Sequence, residues 1–275
     1  MKSKETKIAL IYDFDHTLST TDMQDYSFLP LIGASAKDFW GEVNELSKKT
    51  GMDPLLSYML LMIRKTNEKN IPLTRKQLVS MGKNVVFFKG LDTWFNRINN
   101  YGKKKNLKIE HFIISSGNKE IIEGSSLYKY FKEVYACEFY YENSIAIWPK
   151  TIVNYTTKTQ FIFRINKGVL DIHEHEKVNA SMKDEDKDIP LSNMIYIADG
   201  LTDVPCMKLV RMNNGVAIAV YKKSDTKVAD NLLKDKRVDY IAEADYSQNS
   251  RIETIVKSII DKIASIDHLN KLRNE

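Results

Sequence analysis

The sequence predicts an α/β fold, a parallel β-sheet with helices on both faces, carrying a helical module inserted just after the first strand. Two observations carry this prediction. Short apolar runs recur along the chain with helical stretches between them, the alternation that builds a parallel sheet covered on both sides. One segment, residues 20–88, breaks that rhythm and reads as helical. A length of 275 residues accommodates one such domain together with an insert.

The first run, Ile8-Ala9-Leu10-Ile11-Tyr12, reads as a buried strand. Later runs at 111–114, 133–136, 194–198 and 216–220 are short and continuously apolar, as strands buried on both faces are. Helical patterns fall between them at 119–131 and 159–167. Near the end, Ile252, Ile255, Val256, Ile259, Ile260 and Ile263 form an i, i+3, i+4, i+7 stripe. That stripe suits a helix packed on the sheet, with a dimer contact as the alternative.

Within 20–88, Ser35 can cap a helix bearing Phe39, Trp40, Val43 and Leu46. Asp53-Pro54 places a capping carboxylate before a proline at the first helical position. Leu55, Leu56, Met59, Leu60 and Ile63 then recur at helical spacing, and Thr74 with Gln77 fits a capping box. Met52, Met59, Met62 and Met81 suit either an adaptable pocket or plain core filling. The chain returns to the sheet near Gly90.

Composition narrows the class. The 41 basic and 36 acidic residues leave a net charge of +5 spread along the chain, a solvated lysine-rich surface rather than a nucleic-acid footprint. Cys137 and Cys206 form no C-x-x-C pair, which argues against a disulfide scaffold or a zinc site. The charged start, residues 1–7, precedes an apolar run too short for a signal-peptide core. The apolar stretch 55–63 ends at Arg64, too short to span a bilayer. These features predict a cytoplasmic protein without a membrane or nucleic-acid partner, and make the N-x-S/T matches at Asn154 and Asn179 meaningless as glycosylation sites. His173-Glu174-His175 lies in the polar stretch 171–193 and reads as a solvated loop rather than a metal site.

Asp13-Phe14-Asp15-His16-Thr17 comes directly after the first strand. Ligands of open α/β sheets bind at the carboxyl ends of the strands. Side chains alternate along a strand, so Asp13 and Asp15 can face one side. One carboxylate can attack while its neighbour handles a proton, and both can help hold a cation. By itself the pentapeptide also fits an ordinary turn or helix cap. Three further motifs stand at later element ends. Ile113-Ile114-Ser115-Ser116-Gly117 offers a hydroxyl and N–H groups suited to phosphate oxygens, or a simple Ser-capped turn. Lys158 opens a helical stretch and can neutralise a phosphoryl group, with Lys150 and Lys167 as rivals. Asp199-Gly200-Leu201-Thr202-Asp203 comes after the strand ending at Ala198 and supplies two more carboxylates, which suit Mg²⁺, although Asp203 can also simply cap the next helix. Four converging carboxylates would repel one another without a cation.

In this order, the set D13-F-D15-H-T17, I-I-S115-S-G, Lys158 and D199-G-L-T-D203 resembles the haloacid dehalogenase superfamily, and among its members the phosphoserine-phosphatase-like hydrolases. The resemblance covers the whole chain in layout and implies a Rossmann-like core domain at 1–19 and 89–275 with a helical cap domain at 20–88. It implies Asp13 as nucleophile, Asp15 as general acid and base, Thr17 as the residue orienting Asp15, Ser115 with the N–H groups of Ser116 and Gly117 as phosphoryl ligands, and Lys158 as the stabilising cation. Mg²⁺ would be held by Asp13, Asp199 and Asp203, with Asp15 contributing its main-chain carbonyl. An acid at Asp15 favours phosphate-ester hydrolysis over carbon–halogen or carbon–phosphorus cleavage. Asp22 lies where phosphoserine-phosphatase-like relatives meet the substrate's amino group, although its flanks differ, and it also suits a solvated acid near a helix start. Ala198 stands where many relatives carry glycine.

The expected activity is Mg²⁺-dependent hydrolysis of a small phosphorylated metabolite through an aspartyl-phosphate. The alternatives are a phosphatase acting on a phosphoprotein or nucleic-acid end, with the tyrosine-rich stretch 128–141 as a stacking surface, and a non-catalytic binding protein on the same fold.

Overall fold

The computed structural model describes residues 5–273; residues 1–4, part of the charged start, and 274–275 lie outside the described residues. The strands are β1 (Lys7–Tyr12), β2 (Lys108–Asn118), β3 (Glu133–Glu142), β4 (Ile145–Thr151), β5 (Met194–Ala198), β6 (Val216–Tyr221) and β7 (Tyr240–Glu243). They form one seven-stranded sheet in the order β4-β3-β2-β1-β5-β6-β7. Every neighbouring pair is parallel except β3 with β4. This is the expected Rossmann-like α/β core, with its central strands buried on both faces.

The strand register brings three loops together. Tyr12 lies opposite both Ile113 and Ile197, so the carboxyl-terminal parts of β1, β2 and β5 meet at one edge. Asp13, Ser115 and Asp199 emerge there, on the two sides of the central strand where the order of connections reverses.

The helices are α1 (Phe28–Ile32), α2 (Ala36–Thr50), α3 (Pro54–Glu68), α4 (Arg75–Met81), α5 (Leu91–Lys104), α6 (Lys119–Glu123), α7 (Lys158–Lys167), α8 (His175–Asn179), α9 (Val204–Met212), α10 (Lys227–Lys234) and α11 (Arg251–Leu272). The capping signals of the inserted segment act as their chemistry requires. Ser35 Oγ accepts the Asp38 N–H at 3.1 Å, Asp53 Oδ1 accepts the Leu55 N–H at 2.8 Å, and Thr74 Oγ1 accepts the Gln77 N–H at 3.2 Å. Two short crossings join this segment to the sheet: the Thr20 N–H donates to the Val86 carbonyl and the Phe88 N–H to the Leu18 carbonyl, each at 2.9 Å. The isoleucine stripe of α11 buries Ile252, Val256, Ile259, Ile260 and Ile263, leaving Ile255 at its margin.

Three elements depart from the sequence reading. The helical pattern at 119–131 breaks after α6, and only a 3-10 turn, Tyr128–Tyr130, continues it. Gly124 ends α6 because α4 crosses there: a Cβ on Gly124 would lie 1.7 Å from the Val79 carbonyl oxygen. The strand at 133–136 runs on to Glu142 and returns as β4 through Asn143 and Ser144, both at positive φ (49° and 66°), the backbone of a tight hairpin turn. The sheet edge is therefore antiparallel. The four-residue β7 completes the opposite edge. No helix among the described residues is long and apolar enough to cross a membrane.

Candidate active site

Asp13 is the first residue beyond β1, and its N–H donates to the Ile197 carbonyl of β5 at 3.0 Å, which fixes the backbone of the loop. Its carboxylate is almost wholly buried. Lys158, at the start of α7 and fully buried, places Nζ 3.2 Å from Asp13 Oδ1 and 2.7 Å from Asp203 Oδ1. Tyr196 Oη donates to the same Asp203 oxygen at 2.5 Å, and Thr202 Oγ1 to the other at 3.0 Å. Asp203 is thus locked by its own strand and loop, and Lys158 is held between two carboxylates. The rival lysines lie elsewhere: Lys150 pairs with Glu138, and Lys167 donates to the carbonyls of Val178 and Ala180.

One carboxylate oxygen from each of Asp13, Asp199 and Asp203 lies within 4.8 Å of the others. Apart from the Lys158 ion pair, the buried Asp13 Oδ1 has no hydrogen-bond partner. Three hard oxygen donors around an unsatisfied buried atom fit a Mg²⁺-type cation. Burial, opposed by Lys158 and reinforced by Asp203 and Asp199, pushes Asp13 up to about 7. Burial and Asp203 push Asp199 up to about 6. Burial works against the charge on Lys158, but Asp13 and Asp203 outweigh it and hold the ammonium above the usual lysine range. A bound divalent ion would relieve the repulsion among the aspartates.

The Asp15 carboxylate is held by the chain that follows it. Its Oδ1 accepts the Met23 N–H at 2.8 Å and the Ser19 hydroxyl at 3.3 Å. Burial first, then the charges of Asp22 and Asp13, hold it well above the ordinary carboxylate range. Gly117 makes this position possible, since a Cβ there would lie 2.0 Å from Met23 Cε and 2.9 Å from Asp15 Oδ2. Thr17 is buried and reaches toward Asp199 rather than Asp15, with Oγ1 at 3.4 Å from Oδ1. Ser115 Oγ accepts the Gly117 N–H at 3.0 Å, which commits that N–H. The Ser116 hydroxyl turns away and donates to the Val153 carbonyl at 2.7 Å. Asp22 is 3.1 Å from His16 Nε2, and His16 sits at φ 56°, in the left-handed region. The hydrogen bond with Asp22 chiefly raises the His16 pKa, against the effect of burial.

A cavity of about 360 Å³ opens over this floor. Trp40 and Val43 of α2 and Leu55 and Tyr58 of α3 wall it from above. Several hydrogen bonds tie the inserted segment to the core, and two of them lie beside the cavity. Tyr58 Oη donates to the Ser116 carbonyl at 3.0 Å, and Asn154 Nδ2 donates to Asp53 Oδ2 at 3.1 Å. Tyr196, His16, Trp40 and Tyr58 are site residues that sequence reasoning missed. Tyr196 reads as strand filler and Trp40 as core, and only the position of His16 inside the first motif hinted at a role. The His173-Glu174-His175 loop lies apart, with Arg164 donating to the Asp171 and Ile172 carbonyls.

Fold and site together define a class: an α/β protein that gathers carboxylates around one buried ammonium at the carboxyl edge of a parallel sheet. Residues 10–208 match the haloacid dehalogenase-like hydrolases, and the chain belongs to that family. It is 33% identical to an uncharacterized protein of Borreliella burgdorferi, across 92% of this chain and 96% of that protein. Among solved structures it is similar to a probable phosphoserine phosphatase from Vibrio cholerae, with a TM-score of 0.58 and 12% identity over 96% of this chain and 67% of that one. It also resembles a cytosolic 5'-nucleotidase IIIB bound to cytidine, with a TM-score of 0.52 and 14% identity over 96% of this chain and 88% of that one. At such identities the likeness is one of fold, and that fold is phosphoserine-phosphatase-like.

Proposed function

We propose that the chain is a Mg²⁺-dependent phosphatase that hydrolyses the phosphate monoester of a small metabolite through an aspartyl-phosphate on Asp13. The observation that carries this reading is the position of Lys158, whose ammonium bridges Asp13 and Asp203 in a fully buried setting. An ammonium so placed opposes the burial that raises Asp13, favouring its ionised, nucleophilic form, and faces the charge of an arriving phosphoryl group.

In this reading Asp13, Asp199 and Asp203 hold Mg²⁺, which when bound offsets the negative charge of the phosphoryl oxygens. Asp13 attacks phosphorus as the bond to the leaving alcohol breaks. Asp15, kept protonated by burial, delivers its proton to the leaving oxygen and then takes one from the water that cleaves the acyl-phosphate. Ser115 Oγ accepts from the Gly117 N–H, which leaves its own O–H to donate to a phosphoryl oxygen. Thr17 and Tyr196 steady Asp199 and Asp203.

We read residues 1–19 and 89–275 as the core domain and 20–88 as the cap that closes over the substrate and excludes water. The contacts of Tyr58 and Asp53 with the core support that division. Two free, buried cysteines, Cys137 and Cys206, suit a reducing cytoplasm.

Phosphate release from a panel of phosphorylated metabolites, with Mg²⁺ and with chelator, tests the reading. Release from a narrow group of small esters, lost with chelator, is the expected result. A folded protein silent across the panel, or equally active in chelator, would overturn it.

A further inference from the structure

The wall of the cavity bears on which alcohol the phosphate is attached to. Its charged lining residues are Asp13, Asp15, Asp22, Asp199 and His16, and among the described residues no lysine or arginine lines it. His16 already has Nε2 on Asp22, 3.1 Å away. The wall that α2 and α3 supply above the carboxylate floor is apolar apart from Asn44. Trp40 packs edge-to-face on Tyr58 with ring centroids 5.8 Å apart, and Val43 and Leu55 flank them. Leu201, at the rim beside Asp199, is 70% exposed, an apolar side chain left bare at the mouth.

A carboxylate on the alcohol would enter this space beside Asp22, with no lysine or arginine in the lining and with His16 already paired to Asp22. Desolvating an unpaired carboxylate next to another acid is strongly unfavourable. An ammonium group would compete with His16 for Asp22. An alkyl or aromatic face, by contrast, would cover the half-buried Trp40 and Leu55 and displace water from them.

We propose that the cavity selects phosphate monoesters of neutral alcohols with an apolar or aromatic face, and rejects those whose alcohol part carries a carboxylate. The proposal rests on the phosphatase reading of the site. It separates this chain from the substrate named for the phosphoserine phosphatases whose fold it shares.

Benzyl phosphate and O-phosphoserine test it, because both leave as alkyl alcohols. With Mg²⁺, kcat/KM for benzyl phosphate should exceed that for O-phosphoserine by at least about tenfold. Equal or reversed values overturn the proposal while leaving the phosphatase reading intact. The variant Asn44→Arg adds a guanidinium to an exposed lining position of α2. It should raise kcat/KM for O-phosphoserine about tenfold relative to benzyl phosphate, and a ratio unmoved by the added cation also counts against the proposal. Calorimetric binding of the two esters to the Asp13→Asn variant reads the same preference without turnover. If neither ester is hydrolysed by the wild type, the metabolite panel decides the phosphatase reading, and the order of binding still decides the proposal: tighter benzyl phosphate upholds it, and tighter O-phosphoserine overturns it.

Discussion

Tyr58 Oη donates to the Ser116 carbonyl at 3.0 Å, so a helix of the inserted segment rests directly on the loop that carries Ser115. The Tyr58 ring also faces the cavity and packs against Trp40. Tyr58→Phe keeps the ring and removes the donor, leaving a partly buried carbonyl without this partner. We expect kcat/KM for a small ester to fall by up to about tenfold, the range of one hydrogen bond worth about 0.5–1.5 kcal/mol. Steady-state kinetics beside wild type checks this, and unchanged kinetics would show that the contact does not govern closure.

Cation binding should register in stability as well as in turnover. Mg²⁺ binding the folded chain alone stabilises it by about 2.7 kcal/mol at one hundred times its Kd. Calorimetric Tm should rise by several degrees with Mg²⁺ and return with chelator. Asp199→Asn, which removes one of the three gathered carboxylates, should lose most of that response. A full response in the variant would place the cation elsewhere.

A buried neutral chain sets an acid limit on the fold. Trp94 Nε1 donates to Tyr12 Oη at 2.9 Å, Tyr12 Oη lies 3.1 Å from His111 Nδ1, and His111 Nε2 lies 2.9 Å from Asn99 Oδ1. Burial lowers the His111 pKa from 6.5 to about 3. The unfolded chain therefore binds a proton that the folded chain refuses between those values. Stability from this residue is fully present above 6.5 and is lost as pH falls toward 3, at about 1.4 kcal/mol per pH unit. Asp13 and Asp199, raised by burial, act with the opposite sign in the same window, so the histidine shows in the difference: urea unfolding of wild type should lose stability toward acid relative to His111→Gln, which does not titrate at this position.

Gly124→Ala tests why the predicted helix at 119–131 breaks. The added methyl would meet the Val79 carbonyl at 1.7 Å, and neither backbone can move alone. A loss of about 1–3 kcal/mol, or more, is expected from chemical denaturation. A neutral variant would mean that α4 does not approach α6 this closely.

How much was legible depends on where each signal lies in the chain. Asp13 and Asp199 stand directly after apolar strands, Asp15 and Asp203 follow within the same motifs, and Ser115 comes directly after the apolar run 112–114 inside β2, so local pattern located them, and parallel pairing of β1 with β2 and β5 gathered them. Lys158 was one of three candidates, because only long-range packing sets it against Asp13 and Asp203. The hydrogen bond of Tyr196 with Asp203 and the Trp94–Tyr12–His111 chain had no local signal, since each side chain reads as core. β4 was hidden for another reason. An edge strand with Pro149 and exposed Ile145, Ile147 and Trp148 lacks the buried apolar run that marked the other strands.

The most direct test of the central claim is rapid acid quenching with a radiolabelled phosphate ester, with peptide mapping of the quenched protein. The account predicts label on Asp13 during turnover, absent from Asp13→Asn, which keeps its fold by circular dichroism but turns over no substrate. Turnover without label on Asp13, or wild-type rates in Asp13→Asn, would contradict it.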